Sequence, residues 1–166
     1  MLEAGAPALI VAVEDRKATG LFALETRRRG IATWLSSDGL TLSTSSGFVV
    51  ATRGFGGDLL ASDATQSEAL ILTGRAGVAK RFYTFLNGND EAVTRSFVCD
   101  ISSRGARRVD LGKREPVTRL MQERCQSLDQ SFQNLYWVDL SRREIAQSRQ
   151  WVGEFSHALA LRLVLR

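Results

Sequence analysis

Histidine is almost missing from this chain: His157 is its single copy in 166 residues. That scarcity works against a histidine-built metal centre, and a serine–histidine–acid triad would have to rest on His157 alone. The residue falls in a stretch of alternating leucines, so it reads as a surface or rim position of a strand. Cysteine is nearly as scarce. Cys99 and Cys125 are the whole complement, and neither has a partner at metal-ligand spacing, so no metal and no other cofactor is expected. An even count permits one bridge in an oxidising compartment, closing a loop of 26 residues; two buried free thiols in a reducing one are the other reading. Long apolar runs are also missing. No stretch of about 18 apolar residues occurs, so none reads as a membrane-spanning helix. The run from Ala6 to Val13 is short and lacks a basic leader, so it reads as a strand, and any export signal is expected to lie outside this sequence.

Lysine is rare too: of 22 basic residues only Lys17, Lys80 and Lys113 are lysines, and the net charge is +4. Arginine forks pair bidentately with carboxylate, phosphate or sulfate, which suits an acidic polymer or an anionic headgroup; a solvated surface is the competing reading. No basic helix or interleaved aromatic platform points to nucleic acid. Arg27-Arg28-Arg29 precedes Gly30 and reads as a charged turn.

What is present is alternation. The length suits one domain over 1–166, which at this size buries roughly 70% of the surface of its unfolded chain. Ile31 to Leu35 leads into Ser36-Ser37-Asp38-Gly39; Leu40 and Leu42 then alternate with Thr41 and Ser43 up to Ser45-Ser46-Gly47; Phe48 to Thr52 follows. Short β-rich runs divided by such turns spell an antiparallel meander. Ala79 to Phe85 ends at Asn87-Gly88-Asn89-Asp90, a hairpin signal, after which Val93, Arg95, Phe97, Cys99 and Ile101 share one strand face. Ser103-Arg104-Gly105 reads as the next turn. Phe132, Tyr136, Val138 and Leu140 share a face interrupted by Asn134, and Leu159, Leu161, Leu163 and Leu165 mark a final strand with leucines inward. Two stretches read as helix. Thr65-Gln66-Ser67-Glu68 has capping-box spacing, and Val117, Leu120, Met121, Cys125 and Leu128 follow helical spacing behind Pro116. At least eight strands in one small domain predict a mainly β fold, an antiparallel barrel or barrel-like sandwich with at most one or two short helices, because either form limits exposed edges.

Three stretches resemble the YjbF family of group 4 capsule and exopolysaccharide lipoproteins. They are Trp34 through Leu59, with Asp38-Gly39, Gly47, Gly54 and Asp58-Leu59; the pair Cys99 and Cys125; and the tail Asn134 to Asp139 followed by Ile145 and Ser148-Arg149-Gln150-Trp151-Val152-Gly153. The resemblance implies a barrel-like β fold and a strand for residues 116–128 in place of the helix. It further implies export, a lipid anchor on the periplasmic face of the outer membrane, and a non-enzymatic accessory role in polysaccharide production or export. Secretion proteins of the envelope and anionic polysaccharide are the implied partners, with membrane contact through the anchor alone. In an exported protein Cys99 and Cys125 are expected to be bridged.

For binding, flat aromatic faces suit pyranose rings, although large aromatics in strands more often fill a core. Tyr136 falls with Phe132 and Val138 on the core side, whereas Trp137 and Asp139 occupy the alternate face. Arg149 and Gln150 flank Trp151. The candidate interaction patch is therefore Trp34, Trp137, Asp139, Arg149, Gln150 and Trp151, and the alternative function is a glycan- or small-ligand-binding barrel. A polysaccharide hydrolase, built on carboxylates such as Asp38, Asp58, Asp139 or Glu144, has no motif behind it.

Overall fold

The computed structural model describes residues 5–165; residues 1–4 and 166 of the expected 1–166 domain lie outside them. Among the described residues twelve antiparallel strands form one sheet: β1 (Ala8–Val13), β2 (Ala18–Arg28), β3 (Ile31–Ser36), β4 (Thr41–Ser45), β5 (Phe48–Arg53), β6 (Leu59–Asp63), β7 (Gly77–Leu86), β8 (Ala92–Arg108), β9 (Val117–Gln126), β10 (Ser131–Asp139), β11 (Glu144–Gly153) and β12 (His157–Val164). A helix, α1 (Thr65–Ile71), stands between β6 and β7. Each strand pairs with its neighbour in sequence, and β1 also pairs with β12, so the sheet curls into a nearly closed barrel broken between β5 and β6. Near-closure leaves two edges in place of many. The structure bears out the expected mainly β fold, a barrel or barrel-like sandwich with at most one or two short helices.

Side chains bridge the break. Thr52 Oγ1 accepts the Leu59 amide at 3.0 Å, and the Asp58 carboxylate accepts the amides of Gly54 and Phe55 at 3.0 and 3.1 Å. A side chain of β11 also reaches across the interior to β5. Gln150 Oε1 accepts the Val49 amide at 2.9 Å, while Nε2 donates to the Gly47 carbonyl at 2.8 Å. Gly47 is required there: its φ is +88°, and a Cβ would lie 2.8 Å from Cβ of Ile145. Ser46 and Gly47, both at positive φ, make the tight hairpin turn that joins β4 to β5. Arg29 and Gly30 do the same between β2 and β3, which is the expected charged turn.

Two large clusters fill the interior. One holds Val11, Phe22, Trp34, Tyr83, Phe97 and Leu159 with both cysteines; the other gathers Phe48, Ile71, Met121, Tyr136 and Val138. Burying one such side chain is worth roughly 1.5–3 kcal/mol. Cys99 and Cys125 are opposite one another on β8 and β9 and form the disulfide.

Three local expectations need correction. Residues 117–126 are a strand, as the resemblance implies for 116–128 and unlike the helix that their spacing suggests, because β8 and β10 pair with them on both sides. The inward face of β9 carries Met121, Glu123 and Cys125, and the charge at its centre breaks the apolar alternation that would have marked a strand. Ser103-Arg104-Gly105 is not a turn: β8 runs through it with a register shift between Ser103 and Ala106, and Gly105, at φ +89°, sits in that bulge. The short helix begins at Thr65 as expected, but without the capping box. Thr65 is the first helical residue, and Asp63 Oδ1 takes both its amide (3.0 Å) and its hydroxyl (2.7 Å).

Candidate functional site

The six residues of the expected patch are divided among three environments. Trp34 lies inside, 4% exposed, its indole Nε1 donating to Thr44 Oγ1 at 3.1 Å. Gln150 is inside too, tying β11 to β5. Trp151, its neighbour, stacks on Phe132 with centroids 4.1 Å apart and meets Tyr83 and Phe97 edge-on. Trp151 is half-buried; the β11–β12 register shifts between Trp151 and Gly153, and Asn134 Oδ1 accepts the Trp151 amide at 2.7 Å. Arg149 stands on the outer side, gripping Glu14 with Nε and Nη2 at 2.7 and 2.8 Å. Trp137 is covered by the chain itself: the segment from Val109 to Pro116 folds over it, packing Val109 and Leu111 beside Ala146. Arg114 fastens that segment, its Nη2 2.8 Å from Glu144 and its Nη1 3.5 Å from Asp139. The six do not converge on one surface.

A charge pair that the sequence reading did not find lies deep in the interior. Arg81 is 1% and Glu123 0% exposed, with Nη1 3.0 Å from Oε1. Tyr136 Oη donates to the same oxygen at 2.8 Å and Asn134 Nδ2 at 2.9 Å, while Ser67 donates to Oε2 from α1. Arg81 also donates from Nη2 to Ser62 at 3.0 Å and lies 4.7 Å from the Tyr83 ring centroid. Burial alone pushes the Glu123 carboxyl up; the Arg81 charge and the bonds from Asn134, Ser67 and Tyr136 outweigh it and hold it below its ordinary value. Burial, reinforced by Glu123, raises the Tyr136 phenol well above its own. One signal was available: Arg81 falls in phase with Ala79 and Tyr83, and Glu123 with Met121 and Cys125. Glu123 also approaches both sulfurs closely enough to resemble a metal cluster, but the cysteines are bonded to each other and offer no thiolate. The group is a brace linking β7, β9, β10 and α1.

An open cleft of about 300 Å³ occupies the barrel end where the β2–β3, β4–β5 and β10–β11 turns emerge. Trp34 and leucines of β1 and β12 form its apolar wall, Thr44 and Ser148 add hydroxyls, and Arg27, Arg142 and Arg143 stand around it with Glu144. Glu144 is already paired with Arg114, so the surplus is positive. Arg27 pairs across the ladder with Ala32, an inward residue, and so shares the interior face. In sequence that arginine is indistinguishable from its two neighbours.

Comparison with known proteins sets the fold in context. A family model described as group 4 capsule polysaccharide lipoprotein gfcB, YjbF, matches residues 3–163. The crystal structure of the hypothetical lipoprotein YmcC from Escherichia coli (K12) is similar, with a TM-score of 0.85 over 99% of this chain and 90% of that one at 18% sequence identity. No curated protein matches. At that identity the likeness to YmcC establishes shared architecture alone.

Proposed function

The chain belongs to the YjbF family of group 4 capsule polysaccharide lipoproteins, and from that premise we propose that it is a non-enzymatic accessory factor in capsule or exopolysaccharide export. It acts through contacts with envelope secretion proteins and with the polysaccharide, from the periplasmic face of the outer membrane, held there by a lipid anchor. The family match over nearly the whole chain carries this reading. The acids that a hydrolase would need also favour it. Of the carboxylates considered, Asp38 accepts from the Ser36 hydroxyl in its turn, Asp58 is occupied by two backbone amides, and Asp139 and Glu144 share Arg114. An acid or nucleophile must be able to reach a substrate atom, and these are committed elsewhere.

The test is genetic and biochemical. Deleting the gene is expected to lower surface and secreted polysaccharide, and a tagged copy should restore output and recover secretion proteins from envelope extracts. Unchanged output in the deletion strain, or release of reducing ends from native polysaccharide by the purified protein, would overturn the proposal.

A further inference from the structure

We infer that the cleft at the arginine-bearing end of the barrel is a binding site for the acidic end or an acidic unit of a saccharide. The inference rests on the polysaccharide role above and names the site and chemistry by which the polymer would be touched. Three observations converge on it.

The first is charge. Arg27, Arg142 and Arg143 border the cleft against one carboxylate, Glu144, which Arg114 already holds at 2.8 Å. Among the described residues Arg27 and Arg143 have no carboxylate within ion-pair distance, and the Arg142 guanidinium comes no closer than 3.9 Å to the Asp139 carboxylate. Guanidinium forks meet carboxylates bidentately, so this rim fits an anion entering from solvent. The second is a pair of hydroxyls below the rim. Thr44 Oγ1 accepts the Trp34 indole and Ser148 Oγ accepts Gln150 Nε2, both oxygens belonging to buried residues that line the cleft. Among the described residues neither hydroxyl donates in turn, so each retains a proton for an acceptor inside the cleft. The third is shape. About 300 Å³ is the lower end of the range for small-molecule sites, enough for a short saccharide end and too little for a folded segment. Its wall mixes Trp34 and leucines with these hydroxyls, which suits a ring having one apolar face and hydroxyls at its edge. An acyl chain would leave the buried hydroxyls unanswered.

Calorimetry at low salt with trigalacturonate, and with its carboxyl-reduced neutral trimer, tests the inference on the folded protein. Trigalacturonate is expected to bind at least about tenfold more tightly than the neutral trimer, and to weaken as salt is raised. The double variant Arg27→Gln/Arg143→Gln should lose about tenfold in affinity. Both side chains are exposed, so its thermal midpoint should remain near that of the parent. Equal binding of the two trimers, no binding at millimolar concentration, an unchanged double variant, or tighter binding of decanoate would each overturn the inference. Failure here is separable from failure of the export reading. If the wild-type gene restores polysaccharide in a deletion strain while trigalacturonate does not bind, the cleft assignment falls and the export role stands. If the deletion changes nothing, the export role falls whatever the cleft binds.

Discussion

Arg81 and Glu123 decide how the interior responds to substitution. A buried pair gains little over well-packed apolar side chains, yet breaking it leaves one charge without a partner. Arg81→Met should therefore lose about 3–5 kcal/mol in urea unfolding, whereas Arg81→Met/Glu123→Leu should recover a large part of that loss. Two equal losses would show that packing, and not the orphaned carboxylate, sets the cost. The same cluster fixes the pH window. The folded Glu123 carboxyl is held below its reference value of 4.5, so the stability it contributes is complete above that pH and lost as pH falls through the depressed folded value. Tyr136 is raised above its reference value of 10.0. Its contribution is complete below that pH and fades at more alkaline values, as the unfolded chain alone gives up its phenolic proton. Urea midpoints measured across pH should show a plateau bounded by these two limbs, and Glu123→Gln should flatten the acidic one.

At the scale of elements, two features stand between sequence pattern and surface. The segment from Val109 to Pro116 covers Trp137, and Arg114 holds it against Asp139 and Glu144. Alternation along β10 correctly puts Trp137 opposite Tyr136, but it cannot reveal that a distant loop returns to cover that face. Arg114→Ala should release the segment, exposing Trp137 to acrylamide quenching while far-ultraviolet dichroism stays unchanged. Unaltered quenching would mean that the apolar contacts of Val109 and Leu111 suffice. The disulfide acts on the β8–β9 pair. It spans 26 residues, for which the chain-entropy model gives roughly 3–4 kcal/mol of stabilisation. Protein made in an oxidising compartment and alkylated without reductant should carry no label, and reduction should lower the urea midpoint accordingly. Two labelled thiols would contradict the bridge.

At the scale of the whole molecule, closure is the governing fact. The β1–β12 ladder, from Ala8↔Val164 to Val13↔Leu159, joins the two ends of the described chain and turns a meander into a near-ring. What remains open is the β5–β6 seam, and there Asp58 and Thr52 replace a missing ladder with side-chain bonds. Asp58→Ala should speed hydrogen exchange at the amides of Gly54, Phe55 and Leu59 while leaving those of β1 and β12 protected, at a cost of about 1–3 kcal/mol. A uniform acceleration would show instead that the seam and the closing ladder open as one unit.

The sequence by itself determined many of the strands, most of the turns and the inward side of strands such as β8, β10 and β12, because period-two alternation and the turn residues Asn87-Gly88 and Ser46-Gly47 are local properties of the chain. It also carried the resemblance from which the family follows. Tertiary structure alone decided the rest. It made 117–126 a strand by supplying partners on both sides, ran β8 through Gly105 as a bulge, and drew Gln150 and Trp151 inward together. It also set Arg27 beside Trp34 at the mouth of a cleft. The physical reason is that a side chain's surroundings in a curled sheet come from strands far away in the chain: Gln150 meets Gly47 across 103 positions and Arg81 meets Glu123 across 42. No window of neighbouring residues contains that information.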